Sequence, residues 1–386
     1  MTEVIIAGIG QTAINEQWGK SLRQIGVEAI RAAIADSGGL QPQALFVGNM
    51  FAPNLSRQAH LGALLADFAG LRGIEAVTVE AAGASGGAAL RQGYLAVQSG
   101  MVDVALIVGV EKMTDVVGSE NEVALATTSD SDFEAVQGLT SAGQAALLMR
   151  RYMHEYHVPA DGFAGFALAA HAHGAGNPQA MFQKAIKAEA YTKAEMVSDP
   201  VNMFDIAPYA DGAAALILTR RSLLPKEFLH PLVAIAGSAI STDMLALHDR
   251  HDLLHFESVQ ISTAKALRQA EISLEQVGFF EYYDAFSIFA ALSLEATGFA
   301  PRGLGWKMAA DGLLGLSGKL PSATMGGLKA RGNPGGATGV VQAVEAVMQL
   351  RGSAGVNQLS GIRYGMIQSL GGPASTAVTH ILKKTN

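Results

Sequence analysis

The chain has 386 residues, of which 49% are hydrophobic and 16% charged, enough to bury two packed halves with their own cores. Its net charge of −7 is spread without acidic or basic blocks, which argues against nucleic acid or an anionic membrane as a partner. The sequence contains no cysteine, so disulfides, thiolate zinc sites and cysteine nucleophiles are excluded.

No apolar run reaches the ~18 residues that a membrane span needs. Glu3 lies in an N-terminal stretch that would be basic in a signal peptide, and this stretch is interpreted as a first strand. We therefore expect a cytoplasmic protein with no membrane partner.

The first hundred residues alternate short apolar runs with helical patterns. Strands spaced by helices predict βαβ units, and hence an α/β fold with a largely parallel sheet. The predicted strands are EVIIAGIG, ALFVGNM, AVTVEAA and VDVALIVGV, and the predicted helices lie near residues 22–37, 58–68 and 84–99.

The alternation stops after Glu111. Residues from about 112 to 200 are polar, rich in methionine and helical in patches, which indicates an excursion from the sheet. Apolar runs resume as DGAAALILT and LVAIAGSAIST, separated by the connector RRSLLPKEFLHP. The proline and the charges of this connector predict a boundary between an N-terminal half, residues 1–225, and a C-terminal half, residues 226–386.

The second half repeats the pattern of the first. Helices are predicted near residues 262–269 and 288–296, on either side of the run VGFFEYYDAFS. A glycine-rich turn then enters another helix, and two β-like runs follow near Tyr364 and Ala377. A duplication of this kind predicts a pseudo-two-fold fold in which two helix N-termini face one site.

One of these turns has the layout of a nucleophile site. The stretch VTVEAAGASGGAAL passes from an apolar run through small residues into a helix, whose N–H groups and dipole would stabilise an anion. The turn carries Gly83, which has no side chain. Ser85 is the nearest hydroxyl, but no histidine base is matched to it, and we assign it to packing.

Six segments of the chain, in this order, resemble the thiolase superfamily, and within it the branch of sterol-carrier-protein-type thiolases and archaeal acetyl-CoA acetyltransferases. The resemblance covers essentially the whole chain. The segments are EAAGASGGAAL, GVEKMTD, DIAPYADGAAA, YYDAFS, GGLKARGNPGGATG and QSLGGPAS. It implies duplicated βαβαβαββ halves in a five-layered α-β-α-β-α architecture, and coenzyme A or acyl-CoA as substrate with no covalently bound cofactor.

In that family a cysteine thiolate attacks an acyl-CoA, a histidine of a GHP motif activates it, and an HDxF or NEAF motif contributes to an oxyanion hole. A second cysteine exchanges the α-proton. This chain departs at each position: the nucleophile position is Gly83, the GHP histidine position is Asn333, and the HDxF histidine position is Tyr283. Ala285 stands where one branch has its second cysteine, and the C-terminal loop offers Ser369.

This chain retains backbone groups that could bind a substrate without reacting with it. The amide of Gly83 still opens a helix, and the turn at Gly371 and Gly372 can present N–H groups to a carbonyl oxygen. The candidate catalytic residues are therefore Tyr283, Asn333, Gly83 and Gly372. A tyrosine titrates near ~10, so Tyr283 would need a lowered pKa to act as a base, and Asn333 can donate a hydrogen bond but cannot take a proton.

The resemblance also suggests contacts with coenzyme A. The region of Ser241 and His248 lies near the family's CoA-binding loop, and both are candidates for such contacts. Lys329 and Arg331 are candidates for the CoA phosphates, with a solvated loop as the alternative. The histidines of HDRHDLLH and HAHGAGNP have spacings that a metal could use on a helix, but surface and structural histidines are commonplace, and we assign no metal site.

Three functions remain open at this point. The first is a thiolase-like acyl-CoA-binding protein related to acetyl-CoA C-acetyltransferase, with cysteine-dependent acyl transfer absent or very slow. The second is a thiolase-fold retro-aldolase, a carbon–carbon lyase that cleaves a β-hydroxyacyl-CoA with Tyr283. Steroid side-chain aldolases of this fold also lack the cysteine, although their C-terminal motif differs from GNPGGATG. The third is a non-catalytic acyl-CoA-binding scaffold subunit.

A nucleotide-binding βαβ protein is a weaker alternative, because AGIGQTA lacks the third glycine and the downstream acid of a dinucleotide fingerprint. The family resemblance further implies a homodimer or tetramer. It also implies a candidate partner, a small OB-fold/zinc-ribbon protein that helps to hold coenzyme A.

Overall fold

The structure, a computed structural model, describes residues 3–385. Its strands are β1 (Val4–Gln11), β2 (Ala44–Gly48), β3 (Glu75–Val79), β4 (Val104–Glu111), β5 (Met196–Ser198), β6 (Val201–Asn202), β7 (Gly212–Arg220), β8 (Leu232–Thr242), β9 (Phe279–Glu281), β10 (Tyr364–Gly371) and β11 (Thr376–Thr385). Its helices are α1 (Leu22–Asp36), α2 (Ala52–Leu55), α3 (Leu61–Phe68), α4 (Ser85–Ser99), α5 (Glu120–Ala126), α6 (Ser141–Tyr156), α7 (Ala164–Gly174), α8 (Ala188–Thr192), α9 (Glu257–Ala270), α10 (Ser287–Thr297), α11 (Gly305–Ala310), α12 (Gly327–Arg331) and α13 (Thr338–Arg351). None of the helices in this described range has the length and apolar character that a membrane span requires.

The main sheet is mixed, with the strand order β3-β2-β4-β7-β1-β8-β11-β10-β9. Within residues 3–385, its parallel pairs are β2–β3, β2–β4 and β9–β10, and its other pairs are antiparallel. The prediction of a largely parallel sheet is therefore wrong. β7 returns from the excursion between β1 and β4, antiparallel to both, and β10 and β11 form a hairpin. The alternation of strands and helices along the chain does not reveal either arrangement.

The strand order carries the predicted duplication. Outward from the β1–β8 contact it runs β1-β7-β4-β2-β3 in the first half and β8-β11-β10-β9 in the second, so the first and last strands of each half are neighbours. Within the sheet, the two halves are joined by β1 and β8, whose paired residues are Ile5 and Ala234. In the second half a single parallel bridge, Phe280 with Ser322, takes the place of β3. One strand of the expected βαβαβαββ pattern is thus reduced to a bridge.

The helices complete a layered architecture. α1 and α3 pack against the first-half strands, α9 covers β8 and β11, and α4 and α13 contact strands of both halves. Three large apolar clusters fill the spaces between these elements, one around α1 and α3, one around α4 and α13, and one under α9 and α10. This confirms the five-layered α-β-α-β-α order of the thiolase-like fold.

Two helices begin at other residues than the sequence predicts. α3 begins at Leu61 because His60, directly before it, has a left-handed conformation with φ of 61°. α9 begins at Glu257, ahead of the predicted residue 262. The hydroxyl of Ser258 donates to the Ala374 carbonyl at 2.6 Å, a tertiary hydrogen bond that fixes a residue of weak helix propensity inside this helix.

The predicted excursion contains α5 to α8 and the β5–β6 hairpin, between β4 and β7. Asp211, at the start of β7, is fully buried and anchors the first residues of this segment. Its carboxylate accepts from the Met113 amide at 2.7 Å, the Thr114 hydroxyl at 2.7 Å and the Lys112 ammonium at 3.0 Å. Burial alone would raise the pKa of Asp211, but the hydrogen bonds outweigh it and lower the pKa.

The two central helices meet backbone to backbone at their N-terminal ends. A Cβ atom at Gly339 of α13 would lie 2.2 Å from the amide nitrogen of Gly87 in α4. A Cβ at Gly86 would lie 2.8 Å from the carbonyl oxygen of Gly336. Only glycine permits this approach, which brings both helix N-termini to one place, as the duplication predicts.

We expect Gly339→Ala to lower the free energy of unfolding by about 1–3 kcal/mol or more, because the added methyl meets backbone that cannot rotate away. Gly19→Ala is the matched control, since a Cβ there would have no neighbour within 4 Å. Denaturant unfolding of both variants measures the difference. Equal stability of the two variants would contradict the close approach of α4 and α13.

Candidate active site

The elbow between β3 and α4 is a strained turn closed by one hydroxyl. Ala82 has a positive φ of 49°, which a residue with a side chain adopts rarely. The Ser85 hydroxyl donates to the Ala82 carbonyl at 2.6 Å and accepts from the Ala81 amide at 2.9 Å. Ser85 is fully buried. Its hydroxyl therefore holds the turn, in agreement with the packing role assigned to it.

The space above Gly83 is filled by a side chain from the other half. A Cβ atom at Gly83 would lie 2.2 Å from the Tyr283 hydroxyl oxygen and 2.6 Å from the Leu370 carbonyl oxygen. The phenol of Tyr283 thus occupies the volume that a nucleophile's side chain would need. The space above the elbow is therefore not empty, because the Tyr283 hydroxyl, from the loop that follows β9, covers it.

Tyr283 is a neutral hydrogen-bonding group next to Asn333. Asn333 opposes part of the rise in the pKa of Tyr283, and its Oδ1 accepts from the Thr338 hydroxyl at 3.2 Å, at the start of α13. Burial raises the pKa of Tyr283 above its usual value and outweighs the opposing effect of Asn333. A base would need the opposite shift. Tyr283 is therefore a hydrogen-bond donor at neutral pH.

All four predicted catalytic residues line one small cavity. Gly83, Tyr283, Asn333 and Gly372 surround a space of about 60 Å³. We call this space the catalytic cavity, after the predicted role of these residues. Apolar side chains such as Phe286 form much of the remaining wall. An uncharged donor in such surroundings makes stronger electrostatic interactions than it would in water.

The two basic residues predicted to contact CoA phosphates are buried in the fold, and their predicted role stays a prediction. Arg331 is fully buried, and its guanidinium donates to Glu345 at 2.6 Å. Lys329 is 2% exposed and donates to the Asp205 carbonyl at 2.7 Å, while burial lowers its pKa to about 8. Arg331 is paired with the buried Glu345, and Lys329 lies near the carboxylates of Asp284 and Asp205.

The other two CoA candidates lie outside the catalytic cavity. Ser241 lies near the end of β8, where it is paired in register with Ala377. His248 is exposed, and its ring makes an edge contact with Phe133 at 5.8 Å. Their predicted role in holding coenzyme A stays a prediction.

The histidines of HAHGAGNP are buried. His173 is hydrogen-bonded through Nδ1 to the Ala323 carbonyl at 3.0 Å, and burial lowers the pKa of His171 and of His173, so both rings are neutral. Among residues 3–385 there is no group of three or more histidine, aspartate and glutamate side chains placed to hold a metal ion.

Sequence reasoning missed Glu111, the last residue of β4. Its fully buried carboxylate accepts from the Met50 amide at 2.9 Å, the Phe51 amide at 3.2 Å, the Gly336 amide at 3.1 Å and the Asn49 side chain at 2.7 Å. Burial raises the pKa of Glu111 to about 7, although these hydrogen bonds oppose the rise. Met50 lines the cavity, so Glu111 positions one wall of the site. A charged residue that ends a wholly apolar strand is the signal that could have identified it.

Sequence reasoning also missed a pair of residues, Tyr209 and Glu122. The Tyr209 hydroxyl donates to a carboxylate oxygen of Glu122 on α5. Tyr209 forms a parallel backbone bridge with Asn333 and lines the catalytic cavity. Burial, reinforced by Glu122, raises the pKa of Tyr209 above its usual value. Tyr209 lies within the family segment DIAPYADGAAA, but no local pattern connects it with Glu122.

A larger cavity of about 560 Å³ adjoins the first. The two share the wall residues Ile206, Ala207 and Tyr209. No predicted site residue except Lys329 lines this larger cavity within the described part of the chain.

Behind the catalytic cavity lies a buried cluster of charges. Glu281 of β9 is 1% exposed and accepts from the Thr324 hydroxyl at 2.5 Å. Burial raises the pKa of Glu281 to about 8, and the nearby carboxylate of Glu345 adds to the effect. Arg331 opposes this shift only in part.

Comparisons with known proteins agree with these features. The model of the thiolase N-terminal domain matches residues 4–222, and that of a thiolase C-terminal domain-like unit matches residues 239–384. An acetyl-CoA acetyltransferase of Methanothermobacter thermautotrophicus is 39% identical over 100% of both chains. A steroid side-chain-cleaving aldolase of Thermomonospora curvata is 29% identical over 92% of this chain and 91% of its own. The solved Ltp2-ChsH2(DUF35) aldolase superposes with a TM-score of 0.84 and 26% identity, over 99% of this chain and 98% of the other.

We expect Gly83→Ala to lower the free energy of unfolding by about 1–3 kcal/mol, because its methyl collides with the Tyr283 hydroxyl. In a Tyr283→Val background this cost should shrink by about 1 kcal/mol, while the contact with Leu370 remains. A double-mutant cycle by denaturant unfolding measures the coupling. Gly83→Ala combined with Tyr156→Val is the control and should be additive. Additivity at Gly83 and Tyr283 would rule out the steric contact.

The buried carboxyl of Glu281 should make stability depend on pH. Its pKa is about 8 in the folded protein against an ordinary value of 4.5, so its contribution is full below pH 4.5 and is lost as the pH rises through 8. Glu281→Gln should remove a slope of up to about 1.4 kcal/mol per pH unit in this window. Denaturant unfolding at pH 5, 6.5 and 8 checks this, with Glu16→Gln on the surface as control. An unchanged slope would contradict the raised pKa.

Proposed function

Because this chain belongs to the thiolase family, we propose that it acts on coenzyme A thioesters without a covalent acyl-enzyme and cleaves the carbon–carbon bond of a β-hydroxyacyl-CoA. The proposal is carried by the Tyr283 hydroxyl, which fills the space above Gly83 where a nucleophile would lie. Acyl transfer through the enzyme requires that nucleophile. Retro-aldol cleavage requires a base for the β-hydroxyl and donors for the enolate oxygen.

The donors are uncharged groups of the small cavity. The Tyr283 phenol stays protonated, and the Asn333 amide supports it. Hydrogen-bond donors fixed in a mostly apolar cavity stabilise a developing enolate without reorganisation of water. The thioester oxygen would therefore face Tyr283.

The base is assigned to Tyr209 with Glu122. Among the residues that line the catalytic cavity, Tyr209 is the one whose hydroxyl already donates to a carboxylate. A proton that reaches Tyr209 can pass on to Glu122, because the phenol releases its own proton to the carboxylate at the same time. Neither phenol has to exist as an isolated anion.

The reaction balances on these groups. The β-hydroxyl gives its proton to the Tyr209–Glu122 pair, the bond between the α- and β-carbons breaks, and the β-carbon leaves as an aldehyde or ketone. The electron pair of that bond forms the thioester enolate, whose oxygen accepts hydrogen bonds from Tyr283. The proton on Glu122 then returns to the α-carbon, which yields an acyl-CoA.

Acetyl transfer between CoA thioesters is the second candidate. It is favoured by the acetyl-CoA acetyltransferase that matches this chain at 39% identity along its full length. In that case the acyl group would pass directly between the thiol of coenzyme A and the α-carbon of the other thioester, and cysteine-dependent transfer would be absent. A non-catalytic acyl-CoA-binding subunit is the remaining alternative.

A partner protein and self-association belong to the same proposal. The aldolase structure similar to this chain is by its name a complex of Ltp2 with the DUF35 protein ChsH2, which supports a small OB-fold/zinc-ribbon partner here. β3 lies at the edge of the sheet, and Val77 in it is 50% exposed. An open edge of this kind is a template for pairing with another strand, which supports a homodimer or tetramer.

The test uses 3-hydroxy-3-methylbutanoyl-CoA, which a retro-aldolase would split into acetyl-CoA and acetone. We expect the wild type to release both products, and Tyr283→Phe and Glu122→Gln to lower kcat by about 100-fold or more. Tyr156→Phe, away from the cavity, is the control. Intact mass after incubation with acetoacetyl-CoA should show no acetyl adduct.

The outcomes separate the candidates. Thiolysis of acetoacetyl-CoA with free coenzyme A, but no release of acetone, would favour acetyl transfer. A covalent adduct would contradict both non-covalent mechanisms. Binding of CoA thioesters with no turnover on either substrate, in the presence of a co-purified partner, would favour the scaffold subunit.

A further inference from the structure

The turn between β10 and β11 borders the catalytic cavity. We call residues 371–375 the β10–β11 turn, and its Gly372 and Pro373 line the cavity together with Tyr283. The Gly372 amide makes no backbone hydrogen bond within residues 3–385, whereas the amide of Ala374 donates to the Gly372 carbonyl at 2.8 Å. A backbone N–H group without a protein partner at a cavity is a donor for an oxygen of the ligand.

The backbone of the β10–β11 turn is strained. Gly372 has a φ of 54° and Ala374 a φ of 63°. The second value is uncommon for a residue with a side chain, and such a conformation persists only where the surrounding structure holds it. The position of the Gly372 amide therefore depends on the contacts that fix this turn.

Three hydrogen bonds from other elements hold the carbonyl groups of the β10–β11 turn. The Pro373 carbonyl accepts from the Arg250 guanidinium at 2.6 Å, the Ala374 carbonyl from the Ser258 hydroxyl at 2.6 Å, and the Ser375 carbonyl from the Asp243 amide at 2.8 Å. Ser258 belongs to α9. The other two donors belong to the loop that follows β8, residues 243–250, which we call the β8 loop.

Arg250 is the charged donor of this set, and it is buried. Its side chain is 1% exposed, its Nε donates to the Met244 carbonyl at 3.2 Å, and its Nη2 has no partner in the described part of the chain. The nearest carboxylate, that of Asp243, lies 3.9 Å from Nε, beyond hydrogen-bond distance. Burial of a guanidinium with such incomplete pairing costs free energy. Its short contact with the Pro373 carbonyl lies at the wall of the catalytic cavity.

The β8 loop is also fixed on the side away from the turn. The Leu247 amide donates to the buried carboxylate of Glu134 at 2.9 Å. His248, the next residue, is a candidate for contact with coenzyme A. Arg250 thus connects a loop that is expected to meet coenzyme A with the turn that carries the Gly372 amide.

We propose that Arg250 is a positioning residue: through the Pro373 carbonyl it holds the Gly372 amide where that amide donates to the thioester oxygen as the enolate forms. The assignment deepens the proposed function and rests on it for the place of the thioester oxygen. A donor that is fixed before the reaction stabilises the developing charge without reorganisation. Loss of Arg250 leaves the amide present but releases its direction.

The experiment measures the fraction of bound acetoacetyl-CoA that is present as its enolate, from the near-ultraviolet absorbance of the enolate. The full chain is used at neutral pH with saturating ligand, so that a change in affinity alone has no effect. We expect the wild type to raise the enolate fraction above that of the free compound. Arg250→Met should lower the ratio of enolate to keto form by about tenfold. Arg250→Lys should recover part of this loss, because an ammonium can still donate to the Pro373 carbonyl.

Arg351→Met is the matched control. Arg351 is also a buried guanidinium that donates to backbone carbonyls, those of Ile6 and Ala7, both at 3.1 Å. It is the last residue of α13, whereas the catalytic cavity lies at the N-terminal end of that helix. We expect Arg351→Met to lose stability in denaturant unfolding but to keep the enolate ratio of the wild type.

Ser375→Ala tests the same amide without removing a buried charge. The Ser375 hydroxyl donates to the Gly371 carbonyl at 3.0 Å, and this carbonyl belongs to the same peptide group as the Gly372 N–H. We expect the enolate ratio to fall by about threefold. This variant decides the question if Arg250→Met does not fold.

The outcomes are separable from those of the proposed function, because acetoacetyl-CoA has no β-hydroxyl and cannot undergo retro-aldol cleavage. A wild type that leaves the compound at its free enolate fraction would overturn the role of Arg250. An unchanged ratio in Arg250→Met, or an equal loss in Arg351→Met, would do the same. If Arg250→Met does not fold, an unchanged ratio in Ser375→Ala overturns it. A lowered ratio as described, with no acetone released from 3-hydroxy-3-methylbutanoyl-CoA, would uphold Arg250 and contradict the retro-aldol reaction.

Discussion

The structure depends on the backbone contact between the N-terminal ends of α4 and α13. Glycines at Gly86 and Gly339 let the two helices touch without side chains between them. Because each helix enters the central layer from a different half of the chain, this contact places the elbow at Gly83 beside the turn that carries Asn333. The catalytic cavity is a product of that approach, and it contains groups from both halves.

The charge state of the site depends on the hydrogen-bond and ion-pair partners of its polar groups. Tyr283 and Asn333 both line the cavity, and Glu111 fixes a wall through four donors. Behind them, Arg331 is paired with Glu345 in full burial, which a charge tolerates only with a partner of opposite sign. The candidate site therefore consists of neutral donors next to a buried network of charges.

Much of the fold could be predicted from the sequence, because strands and helices in this chain have regular apolar periods and each half has a glycine-rich turn that enters a helix. The convergence of Gly83, Tyr283 and Asn333 was also predictable, although only through the family resemblance. The direction of β7 could not be predicted, because it depends on the path of the long excursion between β4 and β7. Lys329 and Arg331 looked solvated in a glycine-rich segment, and their burial follows from carboxylates such as Glu345 that no local pattern connects with them. The larger cavity was also not predicted, because most of its walls come from residues 171–209, whose path the sequence pattern does not reveal.

The contact between Gly83 and Tyr283 also constrains how such a site can arise. A protein with a cysteine at the elbow cannot accept this phenol in the same place, and a protein with this phenol cannot take up the cysteine, because the two side chains require the same volume. A protein with a cysteine at this turn would therefore have to lose it before a tyrosine could lie over the turn, or the two residues would have to change together. In this chain a substitution at Gly83 alone cannot place a side chain at the elbow without a shift, because the Tyr283 hydroxyl and the Leu370 carbonyl both occupy the space.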